Sequence, residues 1–203
     1  MTAIYMPTNS GFRASRFGLE THTQRFESAF TRVIKRQLLS GARWRASYTL
    51  PRMKRAQMAE WQSFLLQLEG GVNTFYAYDP DARIPRGLAT GTPLVNGASQ
   101  TGSSLVIDGA AASVTNWLYA GDYFTVNGEF KMVTANITTN GSGQATINFK
   151  PALRSAPADN AAILLGLDCY CAMILEDDSQ SMWESDRNSI FNEKTFSAVE
   201  ALI

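Results

Sequence analysis

Residues 41–71, GARWRASYTLPRMKRAQMAEWQSFLLQLEGG, change hydrophobic period halfway along, and that change decides the fold class. In the first part Trp44, Ala46, Tyr48 and Leu50 alternate with Arg43, Arg45, Ser47 and Thr49. A period of two sends the first set to one side of an extended chain and the second set to the other, so a strand with a basic outer face is predicted over about 42–50. Past Pro51 the apolar residues Met58, Trp61, Phe64, Leu65 and Leu68 recur at three- and four-residue steps, and Gly70 and Gly71 supply a C-terminal stop. That pattern predicts a helix at about 54–69 whose aromatic and leucine stripe packs on a sheet. Lys54 and Arg55 at its start oppose the helix dipole, which suits solubility or an outside contact.

Downstream, residues 74–78 read as a short strand closed by the Asp79-Pro80 turn, and DARIPRGLATGTP is a Pro/Gly-rich passage without period. A boundary is placed there. Beyond it Gly, Ser, Thr, Ala and Asn dominate, and short strands are predicted at 105–108, 123–126, 130–135, 145–149 and 162–165. Turn chemistry at Asp108-Gly109, Asn127-Gly128 and 140–143 separates them. Within GDYFTVNGEFKMV (121–133) the Asn127-Gly128 pair is the strongest hairpin signal, while Asp122 and Glu129 read as solvated acids beside the strands. The last part, 167–203, carries an acidic bend at Glu176, Asp177 and Asp178 and an apolar strand or docking segment from Thr195. The expected fold is all-β dominated: a discontinuous β-sandwich, 1–88 and 167–203, with one packed helix, and an inserted small antiparallel β-barrel or sandwich at 89–166.

Composition bounds the function. The chain has 203 residues, 45% of them apolar and only 18% charged, which leaves part of the surface for neighbours. The formal charge is zero, but residues 1–89 hold thirteen Lys/Arg against six Asp/Glu, and residues 90–203 hold five against twelve. Such halves suit electrostatic docking between copies, or each has its own solvated face. The cysteines, Cys169 and Cys171, are too close along a strand for a comfortable disulfide and too few for a tetrahedral zinc site; two reduced thiols fit cytoplasmic synthesis. The start MTAIYMPTNSGF lacks a basic-then-apolar leader pattern, and no window reaches the apolar length of a membrane span.

Catalytic motifs are not found. His22 stands alone, HExxH, GxSxG and Walker patterns are missing, and neither metal nor cofactor is expected. A glycan hydrolase would need paired carboxylates, with Glu176–Asp178 and Glu184/Asp186 as the candidates, yet an acidic turn explains them as well. A carbohydrate- or cell-surface-binding module would use Trp117, Tyr119 and Tyr123, with Phe124, as a stacking platform. The basic set Arg43, Arg45, Arg52 and Arg55 reads as a subunit or partner contact; sequence-specific nucleic-acid recognition is not expected, because alternation puts Trp44 and Tyr48 on the opposite side from Arg43 and Arg45.

Three runs carry a resemblance. GARWRASYTLPRMKRAQMAEWQSFLLQLEGGVNTFYAYDPDARIPRG (41–87), GDYFTVNGEFKMVTANITTNGSGQATINFKPALRSAPADNAAI (121–163) and WESDRNSIFNEKTFSAVEAL (183–202) resemble the distal tail, or minor tail, proteins of long-tailed bacteriophages. The resemblance implies a non-enzymatic structural protein of the virion tail. Copies would form a ring, most often of six, between the tail tube protein and a hub or tip protein. It also implies a β-sandwich belt domain with a helix, in which Trp44, Tyr48, Trp61 and Phe64 are scaffold positions, and a peripheral inserted module.

Overall fold

The structure, a computed structural model, describes residues 4–186 and 190–202, so residues 187–189 of the third run lie outside it. The N-terminal part forms β1 (Ile4–Tyr5), β2 (Ala14–Glu20), β3 (Thr23–Glu27), β4 (Ile34–Leu38), β5 (Arg43–Leu50) and β6 (Met53–Lys54), followed by α1 (Arg55–Gln67) and β7 (Phe75–Ala77). The middle forms β8 (Gly91–Val95), β9 (Ser104–Ala110), β10 (Tyr123–Val126), β11 (Glu129–Val133), β12 (Ala145–Lys150) and β13 (Ile163–Leu165). The chain ends with β14 (Cys171–Leu175), β15 (Ile190–Phe191) and β16 (Lys194–Glu200). An all-β-dominated fold with one packed helix is what these elements make.

The first large sheet runs β1-β7-β14-β16-β5-β2. Its β5 alternates as the sequence indicates: Trp44, Ala46, Tyr48 and Leu50 are buried, and Arg45 on the other face is exposed. Helix α1 lays Met58, Trp61, Phe64 and Leu65 on this inner face, with Leu68 buried just beyond its end. Burying each such side chain contributes roughly 1.5–3 kcal/mol, which holds a helix that has no side-chain cap at Lys54 and no acid in its first turn.

The second large sheet runs β13-β10-β11-β12-β9-β8 and is drawn from residues 91–165, while the first sheet uses the segments on either side. It curls into a nearly closed barrel: Val95 donates to the Ala161 carbonyl at 3.0 Å, Asn160 donates back to Val95 at 2.9 Å, and Leu94 bridges Ala162. Strand β8 arises from the Pro/Gly-rich passage read as aperiodic. Asn127 and Gly128 take φ values of 50° and 74°, the left-handed pair that a two-residue hairpin between Val126 and Glu129 needs.

All four residues of β10 are buried. Phe124 and Val126 fill the barrel, whereas Tyr123 and Phe130 join Trp44 and Phe17 in the core of the first sheet. The layer opposite the first sheet is therefore helix α1 at one end and the β10–β11 hairpin at the other. The two cores meet through this shared hairpin.

Candidate functional site

Two features stand out from the packed body: a charged lock inside it and an arm outside it. The lock begins at Glu129 and Lys131, paired at 2.6 Å, with the Lys131 side chain fully buried. Lys131 also donates to the Ala152 carbonyl, and Glu129 accepts from the amides of Arg154 and Ser155 and from the Ser155 hydroxyl. Arg154 then makes a two-pronged bond to Glu200 at 2.8 and 2.7 Å, and Glu200 accepts from the Trp44 amide at 3.0 Å. The Trp44 indole donates to the Phe130 carbonyl at 2.9 Å. Burial raises the Glu129 carboxyl, but the bonds from Lys131, Arg154 and Ser155 outweigh it and leave the group below its ordinary value. Burial lowers Lys131, and Glu129 offsets this only in part.

This corrects the expectation for the two acids of 121–133. Glu129 is 7% exposed and Asp122 3% exposed, so neither is a solvated surface acid. Asp122 accepts from the amides of Arg86, Gly87 and Tyr119, tying the connection between the sheets to the barrel. The presumed ligand platform is corrected too. Trp117 is completely buried and donates to the Thr90 carbonyl, Tyr123 is buried with its hydroxyl on Asp79, and Tyr119 is half-buried beside the Arg86 guanidinium. These rings form no exposed stacking surface; they are packing and anchoring groups.

Three of the four arginines read as partner contacts meet acids of the same chain. Arg43 and Arg45 share Glu20, Arg45 also reaches Glu176 at 2.6 Å, and Arg52 pairs with Asp186 at 2.8 Å. Arg55 is exposed and has no ion pair among the described residues. Together with Arg13–Glu193 and Arg86–Asp122, the contacts of Arg45 and Arg52 join the basic half to the acidic half within one molecule. Four of the five carboxylates proposed for a hydrolase have local duties, Glu176 on Arg45, Asp177 on the Ser179 amide, Asp178 on the Gly71 amide, and Asp186 on Arg52 and the Ile190 amide, and the fifth, Glu184, is exposed. Cys169 and Cys171 are free and buried, and burial pushes the Cys169 thiol up to about 12. His22 is exposed, with Nδ1 at 3.2 Å from the Ser40 carbonyl.

The arm was not legible as such. Strands β2 and β5 continue past the sheet as β3 and β4, which pair with each other and with no third strand among the described residues. Every residue of β3 and β4 is exposed. Phe26, Val33, Ile34 and Leu38 are open to solvent, and Phe30 at the tip is 99% exposed. Arg25 stands directly opposite Arg36, and with Arg32 and Lys35 against Glu27 the ribbon is strongly cationic. The signal that could have found it is compositional: residues 23–38 hold four basic residues and five large apolar ones around a Ser-Ala-Phe-Thr turn at 28–31, with no period that would give them a buried face.

Comparison of the chain with protein-family models and with curated proteins returns no match. No helix among the described residues is long and apolar enough to cross a membrane, and none of them form a group of three or more His, Cys, Asp or Glu able to hold a metal ion.

Proposed function

We propose that this chain is a structural component of a bacteriophage tail tip, one copy of a closed ring that joins the tail tube to a hub or tip protein. The class rests on the resemblance of residues 41–87, 121–163 and 183–202. The observation that carries the assembly reading is the free-standing arm. An isolated two-stranded ribbon is marginal in water, and this one exposes five large apolar side chains around opposed arginines. A second layer that covers Phe26, Phe30, Val33, Ile34 and Leu38 would remove that cost. The packed body below, with its doubly buried hairpin and charged lock, suits a part that must hold one shape while neighbours bind. Its place would be the virion tail, after synthesis in the host cytoplasm.

Native mass spectrometry and negative-stain imaging test the reading. Closed rings are expected as concentration rises, and tail tube protein should stack on them. A protein that stays monomeric at every concentration, with or without tail tube protein, would overturn it.

A further inference from the structure

The sheet order fixes where an arm and its receptor would lie. The arm leaves from β2 and β5 at one edge of the first sheet, and β1 forms the opposite edge, five strand spacings or roughly 24 Å away. Beside β1 lies a groove of about 470 Å³ between the N-terminal segment and α1. Its apolar floor is Ile4 and Phe64, its rim includes Tyr5, Ser63 and Glu60, and no Lys or Arg lines it among the described residues. Tyr5 on the rim is 53% exposed, and none of the described residues covers the groove. The arm, by contrast, ends in a fully exposed aromatic ring carried between cationic side chains.

We infer that Phe30 of one copy seats in the β1–α1 groove of a second copy, with the arm arginines around Glu60. The inference rests on the self-assembly reading above and names the surfaces it would use. Charge selects the pairing: a ribbon with four basic residues and one acid meets a groove in which Glu60 is the single charged side chain among the described lining residues. Geometry selects the symmetry. The arm and groove are different patches at opposite edges of one sheet, so each copy gives an arm to one neighbour and receives one from another. Such a head-to-tail contact closes into a ring when its rotation permits. The aromatic tip acts as the anchor, and the arginines set register.

The test mixes a Phe30→Cys protein with a Ser63→Cys protein under mild oxidation, at concentrations where the unmodified protein assembles. Both positions are exposed, so the fold is expected to survive, checked by an unchanged thermal melt. The native Cys169 and Cys171 are buried and stay out of the reaction. A disulfide-linked dimer of the two variants is expected, in excess of what either gives alone. Phe30→Ser should weaken association about tenfold or more, as loss of a central aromatic anchor does. Glu60→Arg should weaken it as well, and Arg25→Glu with Arg36→Glu should restore the Glu60→Arg protein. If the unmodified protein assembles but no mixed dimer forms and Phe30→Ser assembles normally, this docking is overturned and the ring reading stands. An unmodified protein that never assembles overturns both.

Discussion

Lys131 shows at the scale of one side chain how the two sheets are joined. An ammonium with no exposed surface is tolerated because Glu129 and the Ala152 carbonyl hold it, and Glu129 is held in turn by the 154–155 backbone. Breaking such a pair from one side leaves a charge buried without its partner, which typically costs 3–5 kcal/mol. Lys131→Met should cost about 3 kcal/mol, at the low end because the Arg154 and Ser155 donors remain on the carboxylate. Urea denaturation of the single variant and of the Lys131→Met, Glu129→Gln double variant measures it, and the double should lose less than the two singles summed. A neutral Lys131→Met would show that the pair does not hold the hairpin. Sequence could not reveal this lock. Its members at 44, 129, 131, 154 and 200 are far apart along the chain, and a charged residue beside a tight turn ordinarily faces water.

At the scale of elements, strong local patterns were readable and shared surfaces were not. The alternation of 43–50, the helical stripe from Met58 to Leu68 and the Asn127-Gly128 turn each impose their geometry through nearby residues. The β10–β11 hairpin obeys its turn but has no solvent face, because the first sheet covers the side that alternation would assign to water. Tyr123 was misplaced for the same reason, because the first sheet covers it, whereas Trp117 sits in a bend outside the strands and is buried by the barrel itself, where no local period signals burial. Strand β8 was hidden by Gly91 and Pro93, which an edge of a barrel accommodates. The connection at 79–90 likewise looked like a loose linker, yet Asp122 gathers the amides of Arg86, Gly87 and Tyr119. Asp122→Ala should leave three inward-facing donors without an acceptor and cost about 3 kcal/mol or more. Amide exchange at residues 86, 87 and 119 should accelerate more than at β9 or β12, and equal acceleration everywhere would mean that the carboxylate is not a local staple.

For the whole molecule the decisive quantity is where the charges find their partners. The uneven halves of the sequence suggested docking between copies, but Arg13, Arg45, Arg52 and Arg86 spend their charge on Glu193, Glu176, Asp186 and Asp122 of their own chain. What is left over on the arm is a net positive ribbon with only the Arg25–Glu27 ion pair inside it. Intramolecular pairs on the surface contribute about 0–1 kcal/mol each, and those of the buried lock are shielded from mobile ions. Stability of the single chain should therefore change little with salt. Association through the arm should respond strongly, because encounter depends on charges that the molecule does not neutralise internally and whose reach falls from about 30 Å at 0.01 M to about 8 Å at 0.15 M ionic strength. Thermal melts and light scattering across that range separate the two effects. A nearly constant melting temperature with weakening association is expected. A melting temperature that falls with salt while association holds would place the electrostatic cohesion inside the chain and leave the contact between copies to the apolar side chains of the arm.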